Sequence, residues 1–186
     1  MIEAFGRSGW RWLNEPRSWS TDGGMSAHTD PDTDYWRITH YDFIRDTGHL
    51  FAREVAGNFR LLTTFSGEYT HQYDQAGAML RIDDRTWIKT GVELFNGELQ
   101  ASAVVTREVS DWSVVPIGRP HSVSLAVERI GDTVTVRYGL DGAAPETMLR
   151  LAYFPPDVPL LAGVMCASPD GPGCAIRFER LAIESV

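Results

Sequence analysis

Cysteine is scarce in this chain: Cys166 and Cys174 are the whole supply among 186 residues. Two thiols cannot build the multi-bridge framework of small secreted domains, and no His or Cys stands at a zinc-type spacing from them. They flank the turn Pro169 to Gly173, so a strand, loop, strand path could bring them together; two reduced thiols are the expectation, with a single bond left open. Positive charge is also short. Seventeen Lys and Arg against twenty-five Asp and Glu leave a formal charge of −8, which repels phosphate backbones and anionic membrane surfaces. Nucleic acid and membrane are therefore set aside as partners. No stretch approaches the roughly 20 apolar residues that cross a bilayer, and Met1 to Trp10 lacks both the basic and the apolar region of a leader. A cytoplasmic protein is expected.

Long runs of helical periodicity are missing too, as are a Gly-rich phosphate loop, a His-Glu-x-x-His pair and a Gly-x-Ser-x-Gly elbow. The five histidines, His28, His40, His49, His71 and His121, share no spacing that favours a metal. Asp30, Asp32 and Asp34 alternate like the start of a calcium loop. However, Tyr35 stands where that loop needs Gly and Tyr41 where it needs Glu, so a Pro-containing acidic turn is the better reading. No cofactor is expected, and calcium held by another route stays open.

What is present is apolar residue spread along the whole chain, 43% hydrophobic and 11% aromatic, enough for one core over residues 1–186. Short alternating segments recur from Leu50 onward between Gly, Asn, Asp and Pro clusters, which predicts an all-β, two-sheet antiparallel sandwich. Phe59 to Phe65, Val123 to Val127 and Val134 to Tyr138 alternate, and Leu160 to Cys166 and Ile176 to Ile183 would complete the sheets. The Trp-rich start, Trp10 to Trp19, is expected along an edge.

The sharpest signal is a hairpin from Trp87 to Thr106, where Asn96-Gly97 supplies the two positive-φ residues of a type I′ turn. Pairing Phe95 with Glu98 sets Val92 opposite Ala101 and Ile88 opposite Val105; a short turn over Asp83 to Arg85 then sets Leu80 beside Ile88 and Ala76 beside Val92. That is the core face. The other face carries Gln75, Arg81, Trp87, Lys89 and Glu93 around a row of Gly77, Gly91 and Ser102. Glycine within a strand is destabilising by about 0.5–1 kcal/mol relative to alanine. A bare strip edged by an indole, cations, a carboxylate and amides is the mixture that stacks on a sugar ring and hydrogen-bonds its hydroxyls. The sequence thus predicts an open groove: Gly77, Gly91 and Ser102 as floor, Gln75, Arg81, Trp87, Lys89 and Glu93 as contacts, Tyr73, Asp111 and Trp112 as rims. A loop of the chain laid over the glycines is the competing explanation. Glycoside cleavage needs two carboxylates roughly 5–10 Å apart. Glu93 lies within the face, Asp74 adjoins it at the strand start, Asp111 is expected in a Ser110-Asp111-Trp112 turn beyond the third strand, and no spacing selects a pair, so a hydrolase or lyase acting through Glu93 is kept only as an alternative.

Tyr73-Asp74-Gln75-Ala76-Gly77, Trp87-Ile88-Lys89-x-Gly91-x-Glu93 and Ser110-Asp111-Trp112 together resemble the enolase-regulator-like family of concanavalin A-like proteins. The similarity extends through Trp12 to Pro16, Thr33 to Trp36, Asp141-Gly142 and Cys166 to Pro169. It implies a two-sheet jelly roll with no established catalytic residues; a fungal member is tied to enolase regulation in galactose metabolism, and the fold itself does not imply that this chain touches an enolase. At the level of fold it also implies likeness to carbohydrate-binding modules. Three roles remain: a carbohydrate-binding protein using a polar, concave sheet face, an interaction module regulating a metabolic enzyme such as enolase, or a glycoside hydrolase or lyase acting through Glu93.

Overall fold

The computed structural model describes residues 2–186. Its strands run, in chain order, β1 (Ile2–Ala4), β2 (Arg7–Leu13), β3 (Ser18–Ser20), β4 (Met25–His28), β5 (Tyr35–Arg37) and β6 (Ile44–Asp46). They continue with β7 (His49–Val55), β8 (Phe59–Gly67), β9 (Gln75–Arg81), β10 (Thr86–Phe95), β11 (Glu98–Arg107) and β12 (Val109–Gly118). The last are β13 (Val123–Ile130), β14 (Thr133–Leu140), β15 (Thr147–Tyr153), β16 (Leu160–Ala167) and β17 (Ala175–Ser185). An eight-stranded antiparallel sheet, β1-β2-β7-β16-β9-β10-β11-β12, packs on a seven-stranded one, β15-β14-β13-β8-β17-β4-β3. The protein is a concanavalin A-like β-sandwich.

The inner faces hold the core. Ala76, Ala78, Leu80, Ile88, Val92 and Val105 of the large sheet meet Phe59, Leu61, Phe65, Leu125, Val127 and Phe178 of the small one. The register follows the hydrophobic alternation: Ile88 pairs with Val105 and Leu80, Val92 with Ala101 and Ala76, and Gly91 with both Ser102 and Gly77. Asn96 (φ 52°) and Gly97 (φ 81°) form the expected turn. β16 and β17 lie within the sheets, β16 between β7 and β9 and β17 between β8 and β4. Trp10 of β2 is buried near the sheet edge, stacked on Phe51 with ring centroids 5.3 Å apart.

Two features depart from the expectation. Ser110-Asp111-Trp112 is not a turn: it lies inside β12, where Trp112 pairs with Val104, and the reversal falls at Glu108 (φ 65°). The outer face of the large sheet is not open. A separate hairpin, β5–β6, lies across it as a strap. Asn14 Nδ2 donates to the carbonyls of Asp46 (2.8 Å) and Gly48 (2.9 Å) at one end. At the other, Arg37 Nε donates to Glu108 O (2.9 Å) and its backbone N–H to Ser110 Oγ (3.0 Å). Such a strap has no sheet neighbours of its own, so these bonds and its apolar underside hold it.

Candidate functional site

The strap divides the polar face in two. Under it, Tyr35 and Trp36 pack with Met79, Trp87, Val104 and Met165 into a second apolar cluster. Trp87 is 1% exposed, 6.1 Å from the Tyr35 ring, with its indole N–H unpartnered. Arg81 forms a two-pronged pair with Asp46 of β6 (2.6 and 2.7 Å) and lies over the Tyr35 ring. Neither is a ligand contact: tertiary packing has turned both into anchors for the strap. The glycine row is likewise structural. A Cβ on Gly77 would strike the Thr90 carbonyl and one on Gly91 the Ala76 carbonyl, so the strands can approach this closely only without side chains. Ser102 beside them is buried. Asp111 projects to the opposite side of the sheet, where its carboxylate, 69% exposed, pairs with Arg150 at 3.4 Å.

Beyond the strap's edge the same face opens into a cavity of about 230 Å³, which brings together Tyr73, Gln75, Lys89, Glu93 and Trp112. Strand parity puts Gln75 of β9 beside Glu93 of β10, with Lys89 four residues along the same strand. The structure adds residues that sequence reasoning missed: Asp34 and Trp36 at the strap's start, Tyr41, Phe43 and Arg45 on its loop and return strand, and Pro169 and Asp170. The sequence places Asp34 in an acidic turn, away from the sheet face. The signal was in the stretch Thr33-Asp34-Tyr35-Trp36, but nothing local says that it folds back over β9 and β10.

The floor is a hydrogen-bonded network. Lys89 Nζ donates to Gln75 Oε1 (2.7 Å) and Asp34 Oδ1 (3.2 Å), and Gln75 Nε2 to Tyr73 O (3.0 Å). Asp34 Oδ1 also accepts the Tyr35 backbone N–H at 2.8 Å. Glu93 Oε2 accepts from Ser102 Oγ (2.9 Å) and Trp112 Nε1 (3.1 Å), while its Oε1 has no partner among the described residues. Burial pushes the Glu93 carboxyl above its ordinary range, and the nearby Lys89 charge only partly opposes this. Lys89 has three N–H donors and two acceptors, so one donor is spare. The floor thus offers one free donor and one free carboxyl oxygen.

Aromatic rings form the walls. Trp36, Tyr41, Tyr73 and Trp112 line the cavity, Tyr41 stacks on Phe43 (5.6 Å), and the Tyr41 and Tyr73 hydroxyls share a hydrogen bond of 2.9 Å. The wall loop is strained. Ile38 (φ 64°), His40 (φ 66°) and Asp42 (φ 55°) alternate in the left-handed region, as does Tyr73 (φ 66°) across the cavity.

Among the described residues no group of three or more His, Cys, Asp or Glu is arranged to hold a metal ion, and no helix is long and apolar enough to cross a membrane. Cys166 and Cys174 are free and buried, which pushes the Cys166 thiol well up and the Cys174 thiol to about 11. Neither faces the cavity.

Residues 12–186 match the family described as protein of unknown function (DUF1349). The Regulation of enolase protein 1 of Saccharomyces cerevisiae is 35% identical over 173 residues, covering 91% of this chain and 86% of that protein. A crystal structure of a functionally unknown protein from Saccharomyces cerevisiae superposes with a TM-score of 0.90 at 34% identity, covering 95% of this chain and 96% of that one. The carbohydrate binding module CBM66 from Bacillus subtilis superposes at 0.59 with 16% identity and 96% coverage of both chains, a likeness of fold.

Proposed function

Since the chain belongs to the DUF1349 family, whose description assigns no role, we propose from the cavity itself that the protein binds the end of a carbohydrate ligand. One observation carries this: a spare Lys89 donor and a spare Glu93 oxygen lie at the bottom of an aromatic-walled pocket. Neighbouring hydroxyls of a sugar present the complementary acceptor and donor, and the ring's C–H faces lie well on Trp and Tyr. The strap blocks the sheet face beyond Lys89, so a polysaccharide cannot run along it as it would along an open groove. Entry is end-on. A cavity of about 230 Å³ is smaller than the ~300–1,000 Å³ of drug-sized sites, which suits one or two sugar units. A pre-formed site of this size gives affinities of about millimolar to micromolar.

Calorimetry against a panel of mono- and disaccharides is the test. Binding should be lost in Trp112→Ala and Lys89→Met and kept in Asp111→Ala, which touches another face. A silent panel with intact protein would refute the proposal.

A second reading rests on the 35% identity to the Regulation of enolase protein 1: the protein contacts an enolase-like enzyme in the cytoplasm, a setting that suits two free, buried thiols. Co-purification with the host's enolase, unaffected by Lys89→Met, would separate this role from sugar binding. Asp34 and Glu93 also place two carboxylates in one pocket. Turnover of a glycoside that is abolished by Glu93→Gln would make the protein a hydrolase or lyase.

A further inference from the structure

The four rings of the wall form a closed circuit. Trp36 and Tyr41 lie 5.5 Å apart between centroids, Tyr41 and Tyr73 6.4 Å, Tyr73 and Trp112 6.4 Å, and Trp112 and Trp36 6.3 Å. Successive planes meet at 77°, 80°, 67° and 86°. Edge-to-face contact is common among packed rings, but here four successive pairs meet at steep angles and all four rings line one cavity, which makes them the sides of a box. A square with sides of these lengths has its centre about 4.4 Å from each corner, inside the ~6 Å within which a cation is drawn to an aromatic face.

A second, independent feature points the same way. Trp112, one side of the box, donates its indole N–H to Glu93 Oε2, so a buried carboxyl adjoins the box with its other oxygen unpartnered. Lys89 does not cancel it, because that ammonium is held by Asp34 and Gln75. At the mouth, beside the box, the Arg45 guanidinium lies 4.8 Å from the centre of the Phe43 ring. The protein's net charge of −8 also attracts a cationic ligand.

We propose that the box of Trp36, Tyr41, Tyr73 and Trp112 receives an ammonium group of the ligand, with Glu93 as its counter-ion, so that the pocket selects a terminal amino sugar. This rests on the carbohydrate reading above and narrows it to one ligand class. Methylated ammonium compounds share the recognised chemistry but lack the sugar-ring hydroxyls that the spare Lys89 donor would meet.

The experiment is calorimetry with glucosamine, N-acetylglucosamine, glucose and choline at pH 6.5, where the glucosamine amine is charged. Glucosamine should bind at least about tenfold more tightly than glucose or N-acetylglucosamine. Tyr41→Leu, at the exposed side of the box, should weaken glucosamine about fivefold or more, and Tyr41→Phe less than twofold, since the ring face remains. Glu93→Gln should remove the preference for the charged sugar while leaving glucose within about twofold. Equal binding of all three sugars would overturn the ammonium assignment and leave the carbohydrate reading standing. Choline binding with every sugar silent would overturn the amino-sugar choice and the carbohydrate reading together, while no binding by any of the four would overturn the box as an ammonium site. Circular dichroism of each variant separates lost binding from lost folding.

Discussion

Replacing Lys89 by Met tests whether the cavity floor is truly withdrawn from water. Lys89 is 5% exposed, and its ammonium holds Gln75 Oε1 at 2.7 Å and Asp34 Oδ1 at 3.2 Å. The substitution keeps the side chain's length and apolar stem but leaves the Gln75 oxygen without its donor. It also leaves the Asp34 carboxylate, 11% exposed, without its counter-charge. Breaking a buried pair from one side costs about 3–5 kcal/mol, because the remaining charge is stranded. For a chain of this size that lowers Tm by roughly 6–20 °C, at about 2–4 °C per kcal/mol. Asp34→Asn keeps an acceptor for the Tyr35 N–H and removes the charge, so the double substitution should recover about 1–3 kcal/mol of the summed single losses. Urea unfolding of the four proteins at pH 7 measures the cycle. If Lys89→Met costs under about 1 kcal/mol and the two changes simply add, the pair is solvent-screened like a surface bridge, and the desolvated floor on which ligand binding is argued does not exist.

Three further outcomes follow from the same geometry. Glu93 binds its proton more tightly folded than unfolded, so stability should fall as pH rises from the ordinary glutamate value of 4.5 through its raised folded value; pH-dependent urea unfolding should show that slope flattened in Glu93→Gln. Gly77→Ala, which pushes a methyl into the Thr90 carbonyl, should destabilise by about 1–3 kcal/mol; an unchanged Tm with lost sugar binding would instead restore the glycine row as a ligand floor. Ile38→Gly should raise stability by about 1 kcal/mol in the same assay, since an exposed β-branched residue at φ 64° carries roughly 1–2 kcal/mol of strain and glycine carries none.

Local chemistry settled much of this protein. The period-two alternation of Ala76, Ala78, Leu80, Ile88 and Val92, pinned by Asn96-Gly97, set three strands in register and identified which side faces the core. It also put Gln75, Lys89 and Glu93 on one surface, and that surface does line the cavity. Pleat parity says on which side a residue points, but not what lies above it. Whether Trp87 and Arg81 meet solvent depended on a hairpin about 40 residues upstream, whose three-residue strands are too short to leave a periodic trace. Its position is fixed by bonds between distant segments: Asn14 to Asp46, Arg37 to Glu108, Lys89 to Asp34. Through them the tertiary structure converted an open strip into a blind pocket and supplied Asp34, Trp36 and Tyr41 to its walls.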